Sequence, residues 1–506
     1  MNNPHSPALP LFLSAFCLFC MLSGCAVKPA PLSMDEHQAR VAEDRLKLYA
    51  NQEPLTAPLT LDTAIARALA YNFDHHLAIM EAAFHNQQLL SANLAMLPRL
   101  ALNAGYSGRS NDSASSSISY ETGRESLEAS YSSERQRVTG DLTLSWTILD
   151  FGLSYFQAKQ QADRLLIMQE RKRRVVNNMV KEVIAAYWKA ITADKLLPQV
   201  KSALEHTRTA LASYAEIHDK KLSPPLETLE QYRDLLNIEN SLRRIQADLT
   251  MARVKLAALI NVPLSSAFSI APPDDYMLVP PPLTASVEEL EDKGLVLRPD
   301  LREEAYQERI DKSEVHKEIL RMLPGVSLFG GFNFDSNRFL VHNFWSEIGA
   351  KATMSLFNLI TGPMQIKAAN TKVEVSRTRR LAQTVAALTQ IHLSYYQYIQ
   401  ALEDYNHIAK ANRVEKQILA IAESEQVFEA ESKLLFIRRS VNAVRAEIEH
   451  GRILSDIYAS WGNMYFSLGG DIVPMEFNQD SIAGMSALIK EKLLRWWQGE
   501  MPFGQQ

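Results

Sequence analysis

Side chains that could do chemistry are few in this chain of 506 residues. Glu423, Glu425, Glu429 and Glu431 form an acidic cluster. Repeated around an opening, such carboxylates make a ring that attracts cations and can hold a gate by charge and hydrogen bonding. The competing reading is an ordinary solvated helix face. His75, His76 and His85 are close in sequence, but an adjacent pair and a third ring about ten residues on do not give two imidazoles on one helix face. They read as surface histidines rather than metal ligands. The chain holds no HExxH, no Walker loop and no nucleophile elbow. No catalytic residue, no metal site and no non-covalent cofactor is therefore expected. With 53 basic and 58 acidic residues and a net charge of -5, bulk charge gives no sign of a nucleic-acid partner.

The elements that would carry the acidic cluster follow from two related stretches, Leu97-Pro98-Arg99-Leu100 and Leu323-Pro324-Gly325-Val326. In each, a helical pattern runs into a proline that cannot continue it. Apolar residues then alternate with polar or small ones. Leu100, Leu102, Ala104 and Tyr106 fall on one face, and Asn103, Gly105 and Ser107 on the other, as in a strand with one apolar face. A second strand follows each copy, with Leu142, Leu144, Trp146 and Ile148 on one side in the first half. Ile348, Ala350, Ala352, Met354 and Leu356 are the counterparts in the second. Beyond each pair runs a very long helical pattern. Val176, Val180, Val183, Tyr187 and Ile191 mark its buried stripe in the first half, and Val385, Leu388, Tyr395, Tyr398 and Leu402 in the second. Glycine is sparse, at 19 residues, which suits long helices.

The plan is thus a duplicated strand–strand–long helix–helix unit. The first repeat is expected over 59–284, with strands at about 99–108 and 139–149 and helices at about 59–97, 152–218 and 226–260. The second is expected over 285–470, with strands at about 325–335 and 345–357 and helices at about 286–323, 362–422 and 428–468. Residues 107–140 are rich in Ser, Gly and charge and read as a loop. Residues 25–58 read as a tether, and 471–506 as a C-terminal extension whose amphipathic end, Ser486 to Trp497, could pack on the protein or touch a membrane.

At the N-terminus, the short apolar run from Ala8 to Leu22 resembles a signal-peptide core over residues 1–24, although Met1 to Pro7 supply no Lys or Arg. It ends in Leu22-Ser23-Gly24-Cys25, which resembles the lipobox of bacterial lipoproteins. That resemblance implies cleavage before Cys25 and a covalent lipid on it. Cys17 and Cys20 would be lost, leaving no disulfide. Ala26 in place of an aspartate points to the outer rather than the inner membrane. No later stretch reaches 18 apolar residues, so no transmembrane helix is expected.

Several motifs resemble the outer-membrane efflux protein (TolC) family. They are Leu59-Thr60-Leu61-Asp62 with Ala66, Ala68, Leu69 and Asn72; Leu97-Pro98 with Leu100; Leu144-Ser145-Trp146 with Asp150-Phe151-Gly152; and Arg298-Pro299-Asp300-Leu301-Arg302. The likeness covers roughly 55–470. It implies a homotrimer: a mostly α protein whose protomers each give four strands to a 12-stranded transmembrane β-barrel, continued by a tunnel of long helices. The expected place is the outer membrane of a Gram-negative bacterium, lipid-anchored and extending into the periplasm. The expected partners are outer-membrane lipid, a periplasmic adaptor and an inner-membrane pump. The expected role is the exit duct of an efflux or type I secretion system. The alternative is a non-conducting, lipid-anchored periplasmic scaffold of the same fold. In the family the helix-to-helix turns meet the adaptor, which maps to Leu222, Ser223, Pro224 and Pro225 in the first turn and Val427 and Phe428 in the second. Pro224-Pro225 departs from the usual pattern, and the second turn lacks the expected glycine. Both departures keep the alternative open.

Overall fold

The structure is a computed structural model that describes residues 29–125, 128–220, 224–264, 266, 268–274, 277, 279–424, 430–471 and 481–499. The leader 1–24 and Cys25 lie outside them. Two units are distinguished, residues 1–53 and 54–506. The described part of the first holds α1 (Met34–Leu48), none of whose residues is buried. Ser33 opens it with a capping box: its hydroxyl accepts from Glu36 N, and the Glu36 carboxylate accepts from Ser33 N at 2.7 Å.

The second unit begins with α2 (Leu61–Tyr71) and α3 (Phe73–Leu94). Thr60 caps α2, its Oγ1 accepting from Thr63 N at 3.4 Å. The pattern read as one helix over 59–97 is broken at Asn72, which ends α2 and caps α3 through Oδ1 and Asp74 N at 2.9 Å. The histidines find a role here. His75 Nδ1 and His76 Nε2 each lie 2.8 Å from a last-turn carbonyl of α2, Leu69 O and Ala70 O, and satisfy groups that the helix end leaves open. The second half repeats the break. There α6 (Val287–Leu297) and α7 (Pro299–Arg321) divide the pattern read over 286–323. Pro299 pushes Arg298 to an extended backbone at φ -63, ψ 128, close to Asn72 at φ -74, ψ 128.

Four strands follow the expected order: β1 (Arg99–Gly108), β2 (Gln136–Thr147), β3 (Gly325–Asp335) and β4 (Phe344–Thr353), all antiparallel. Their register lines up the apolar face. Leu102 faces Leu142, and Leu142 faces Phe332; Leu100 pairs with Leu144. The opposite face carries Asn103, Asp141 and Asn333 in one row, with Asn103 Nδ2 donating to Asp141 Oδ1 at 2.9 Å. Ile148, Met354 and Leu356, assigned to the apolar face from the pattern, fall beyond the strand ends.

The expected transmembrane β-barrel is corrected by this sheet. It is a four-stranded open sheet in the order β1-β2-β3-β4, with β1 and β4 as its two edges. Four strands are about half the number that the smallest barrels need. The chain is mostly helical, and its sheet does not close. The expected outer-membrane location, read from the barrel and from Ala26 after Cys25, is corrected with it, because no closed barrel is formed among the described residues. Among the described residues no helix is long and apolar enough to cross a membrane.

The helices do most of the packing. α4 (Ile148–Asp219) runs for 72 residues straight out of β2, about 108 Å at 1.5 Å per residue. It packs against α3, α7, α9 (Ala430–Ser467) and α5 (Pro225–Leu259). α8 (Phe357–Ser424) packs against α6, α7 and α9, and α10 (Ile482–Trp497) against α2. The larger core gathers α2, the middle of α4, the C-terminal part of α9 and α10. A second core joins α4 and α5 with the first half of α9, around Leu204, Leu235, Leu242 and Val441.

Candidate functional site

The residues singled out from the sequence cluster at the two helix-to-helix turns. α4 ends at Asp219, and α5 opens with Pro225 in its first turn, where a missing N–H costs nothing. Pro224 is exposed and its carbonyl accepts from Thr228 Oγ1 at 3.0 Å. Leu222 and Ser223 lie outside the described residues, as do Glu425, Val427, Phe428 and Glu429. Glu423 is exposed near the end of α8. Glu431 belongs to α9, but its side chain is not among those described. The carboxylate ring is therefore neither assembled nor dispersed by what is described.

What the structure does bring together near these turns is a tie between the two hairpins. Arg438 of α9 donates to Asp234 Oδ2 at 2.9 Å and to Gln231 Oε1, both on α5. Deeper in, Glu447 of α9 receives Lys195 of α4 at 3.2 Å and Lys416 of α8 at 3.4 Å. Burial pushes the Glu447 carboxyl up, yet the two lysines hold it below the usual carboxylate range. Sequence reasoning missed both links. Gln231 and Asp234 are three apart on one helix face, but nothing local shows which cation reaches them.

A second constellation explains the Arg298-Pro299-Asp300-Leu301-Arg302 motif. Arg298 is buried at the α6–α7 break and holds Asp300 with two bonds, at 2.9 and 2.6 Å. It also reaches Ser467 O on α9 at 2.8 Å and Gln390 Oε1 on α8 at 2.9 Å. Burial raises the Asp300 carboxyl, and Arg298, helped by Gln383 and the Leu301 N–H, brings it below the usual carboxylate range. Arg173 of α4 makes a matching clamp, donating to Asp471 at 2.6 Å, Leu297 O at 2.9 Å and Gly469 O at 2.5 Å. Gly469 has φ +74, and a Cβ there would stand 2.7 Å from Leu297 C and O, so the approach requires glycine. These clamps fasten α4, α6, α8 and α9 at one level. They position helices and carry no reactive group.

The third feature is an uncovered apolar stripe on α8. Met364, Val375, Val385, Leu393 and Tyr396 are all exposed, with Ala368, Thr371, Thr378, Ala382 and Thr389 between them at spacings of three and four. That heptad-like seam of small and apolar side chains suits a facing helix. α3 exposes Phe73, Leu77, Met80 and Phe84 in the same spacing. The second-half stripe read from sequence divides here. Tyr398 is fully buried, Tyr395 and Leu402 pack against the core, and Val385 turns outward. In the first half, Val180, Val183 and Tyr187 are buried as expected.

Among the described residues no group of three or more His, Cys, Asp or Glu side chains could hold a metal ion. No protein-family profile and no curated protein matches the sequence. Solved structures do match. The Campylobacter jejuni CmeC outer membrane channel aligns with a TM-score of 0.62 at 16% identity, over 92% of this chain and 97% of that one. The open state of the Neisseria gonorrhoeae MtrE outer membrane channel aligns with a TM-score of 0.59 at 17% identity, over 80% and 89%. The outer membrane protein VceC from Vibrio cholerae gives 0.59 at 14%, over 81% and 96%. The fold is that of the TolC-type outer-membrane channels, and the structural homology spans nearly the whole of each relative at low identity. The structures named are channels and outer-membrane proteins, and the likeness brings no enzyme chemistry with it.

Proposed function

We propose that the chain is a non-conducting scaffold built on the channel fold. It is lipid-tethered through Cys25 in the periplasm and assembles with copies of itself, as a homotrimer, through the uncovered helix stripes. The observation that carries this reading is the combination of an open four-stranded sheet with long exposed seams on α8 and α3. Seams of this kind on a water-soluble surface are covered in a working assembly, because contiguous exposed apolar surface marks an interaction site. A second copy is the natural cover, since α3 of one and α8 of another carry matching three-and-four spacings.

The turns at Leu222, Ser223, Pro224 and Pro225 and at Val427 and Phe428 are proposed to meet a periplasmic adaptor, and through it an inner-membrane pump. The channel fold and the Arg438 tie, which holds the two hairpins together near those turns, support this assignment. Glu423, Glu425, Glu429 and Glu431 would then ring the entrance. The test combines oligomer mass with planar-bilayer recording. The scaffold reading predicts a stable oligomer that V385E together with M364E disperses into monomers, and no single-channel conductance. A monomeric wild type would remove the self-assembly, and a steady conductance would remove the word non-conducting.

A further inference from the structure

A groove of about 610 Å³ lies over α4 between α5 and α9, away from both turns. That volume is in the range of small-molecule sites. One wall is a single face of α5, with Ser241, Ile245, Leu249, Ala252 and Lys255 at spacings of three and four. The other is α9 from Arg445 to Asp456, and Lys189 and Thr192 of α4 complete the lining. The floor is tight: a Cβ on Gly451 would stand 2.6 Å from Thr192 Cγ2.

The two ends of this groove differ in charge. The Arg253–Asp194 pair fixes α5 against α4, and Lys195–Glu447 with the Trp188–Tyr458 stack fixes α9 against α4. That register puts Lys189, Lys255, Ser455 and Asp456 at one end, and Arg445 with Asp248 at the other. Between them Arg452 is taken by Glu449 and by Asp456, the latter at 2.6 Å. Lys189 and Lys255 have no ion-pair or hydrogen-bond partner among the described residues. Ser455 is 2% exposed, and its buried Oγ likewise has no partner there. A buried hydroxyl without a partner is uncommon in folded proteins. Ser455 is one of the residues that line the groove, with its hydroxyl just beneath the surface at the end that carries Lys189 and Lys255.

We propose that this groove binds a single-chain amphipathic anion. The anionic head would sit at Lys189 and Lys255 and accept a hydrogen bond from Ser455 Oγ. The alkyl chain would lie along Ile245, Leu249, Ala252 and Ile448, about 21 Å of helix separating Ser241 from Lys255 at 1.5 Å per residue. Free ammonium groups on flexible stems suit an anionic head that is reached from the rim. The site does not depend on whether the chain conducts.

The probe is dodecanoate carrying a diazirine near its methyl end, photolysed on the full-length chain and mapped by mass spectrometry. Adducts are expected on α5 between Ser241 and Ala252 and on α9 near Ile448. Dodecanoate should displace them and dodecanol should not. K189E with K255E should cut labelling at least tenfold, and S455A severalfold, while the oligomer mass stays unchanged. Labelling confined to the exposed stripes of α3 and α8 would overturn the site. So would labelling of the groove that persists in K189E with K255E, or that dodecanol displaces equally well.

Discussion

Two stretches of one helix, α4, are buried in opposite ways. Near its start the inward side chains include Gln160, Asp163 and Glu170 beside Ala158 and Ile167, and the helix they meet, α7, buries Glu308, Asp311, Ser313, Lys317 and Glu318 along with Leu301 and Ile310. Lys317 Nζ donates to Gln157 and to Glu314, each at 3.0 Å, while Lys372 reaches Asp311 at 3.0 Å. Twenty residues on, the inward side chains are Val180, Val183, Ile184, Tyr187 and Trp188, against an aromatic cluster from α9 and α10. Trp188 stacks on Tyr458 with ring centroids 3.8 Å apart, and Trp461 lies over Trp496 at 5.9 Å. The aromatic stretch is held by burial, which is non-directional and tolerant. The polar stretch depends on each charge meeting a partner, so it responds to protons where the other does not.

The largest effect is expected in the aromatic stretch. Trp461→Ala removes a fully buried ring and should cost about 3–5 kcal/mol of unfolding free energy in a denaturant titration. A loss below about 1 kcal/mol would mean that α10 holds on without the cluster. In the polar stretch, Asp163→Ala deletes a buried carboxylate that Arg309 reaches from a half-exposed position. Arg309 can turn to water, so the cost should be smaller, about 1–3 kcal/mol. Asp163→Leu should recover most of it, because the buried site keeps an apolar side chain of similar volume while Arg309 turns to water. A leucine as damaging as the alanine would give the carboxylate a role that simple packing cannot fill.

Acid should separate the two stretches next. Glu308 is held below the usual carboxylate range first by its hydrogen bond to Lys312, against opposing burial, with Arg380 adding to the shift. In Asp300 and Glu314 burial pushes up, and the shift is reversed by Arg298 in the first and by Gln160 and Lys317 in the second. A lowered folded-state value means that the stabilisation is complete above the ordinary carboxylate value. It is lost as pH falls through the lowered one. Hydrogen-exchange protection factors of α7 should therefore fall below about pH 4, while residues around Tyr187 and Trp461 stay protected. An equal loss of protection in both stretches would contradict the contrast.

The smallest effect concerns Glu304, with the opposite sign. Burial raises its carboxyl, partly offset by Arg379, and its Oε2 is buried without a hydrogen-bond partner among the described residues. Ionising it opposes folding as pH rises past its ordinary value. Glu304→Gln should therefore stabilise slightly at neutral pH and be neutral in acid. Destabilisation at neutral pH would assign the carboxylate a partner.

Much of the fold could be read from local pattern. Pro98 and Pro324 stop helices, and the period-two runs after them fall into register with their apolar sides on one face. The break at Arg298 announced itself through Pro299. Its counterpart at Asn72 did not, because an amide cap leaves the helical period undisturbed. The polar interior of α7 was illegible for a related reason. A charged side chain looks solvated until its partner on another helix is known, and Asp163 meets Arg309 across 146 positions. Tyr398 and Val385 sat on one sequence stripe, yet thirteen residues at about 100° each set them about 220° apart around the helix, and they end on different sides. Closure of the sheet was expected across three chains, from the resemblance and from strands too few to close alone, and the described sheet is open. Of the site residues at the turns, Pro224 and Glu423 are exposed, and Leu222, Ser223, Glu425, Val427, Phe428 and Glu429 lie outside the described residues.

The most direct test of the scaffold account is planar-bilayer recording of the purified chain after its oligomer mass has been measured. The account predicts an oligomer that never conducts, including when Glu423, Glu425, Glu429 and Glu431 are all replaced by glutamine. A reproducible single-channel conductance that grows on that replacement would contradict it.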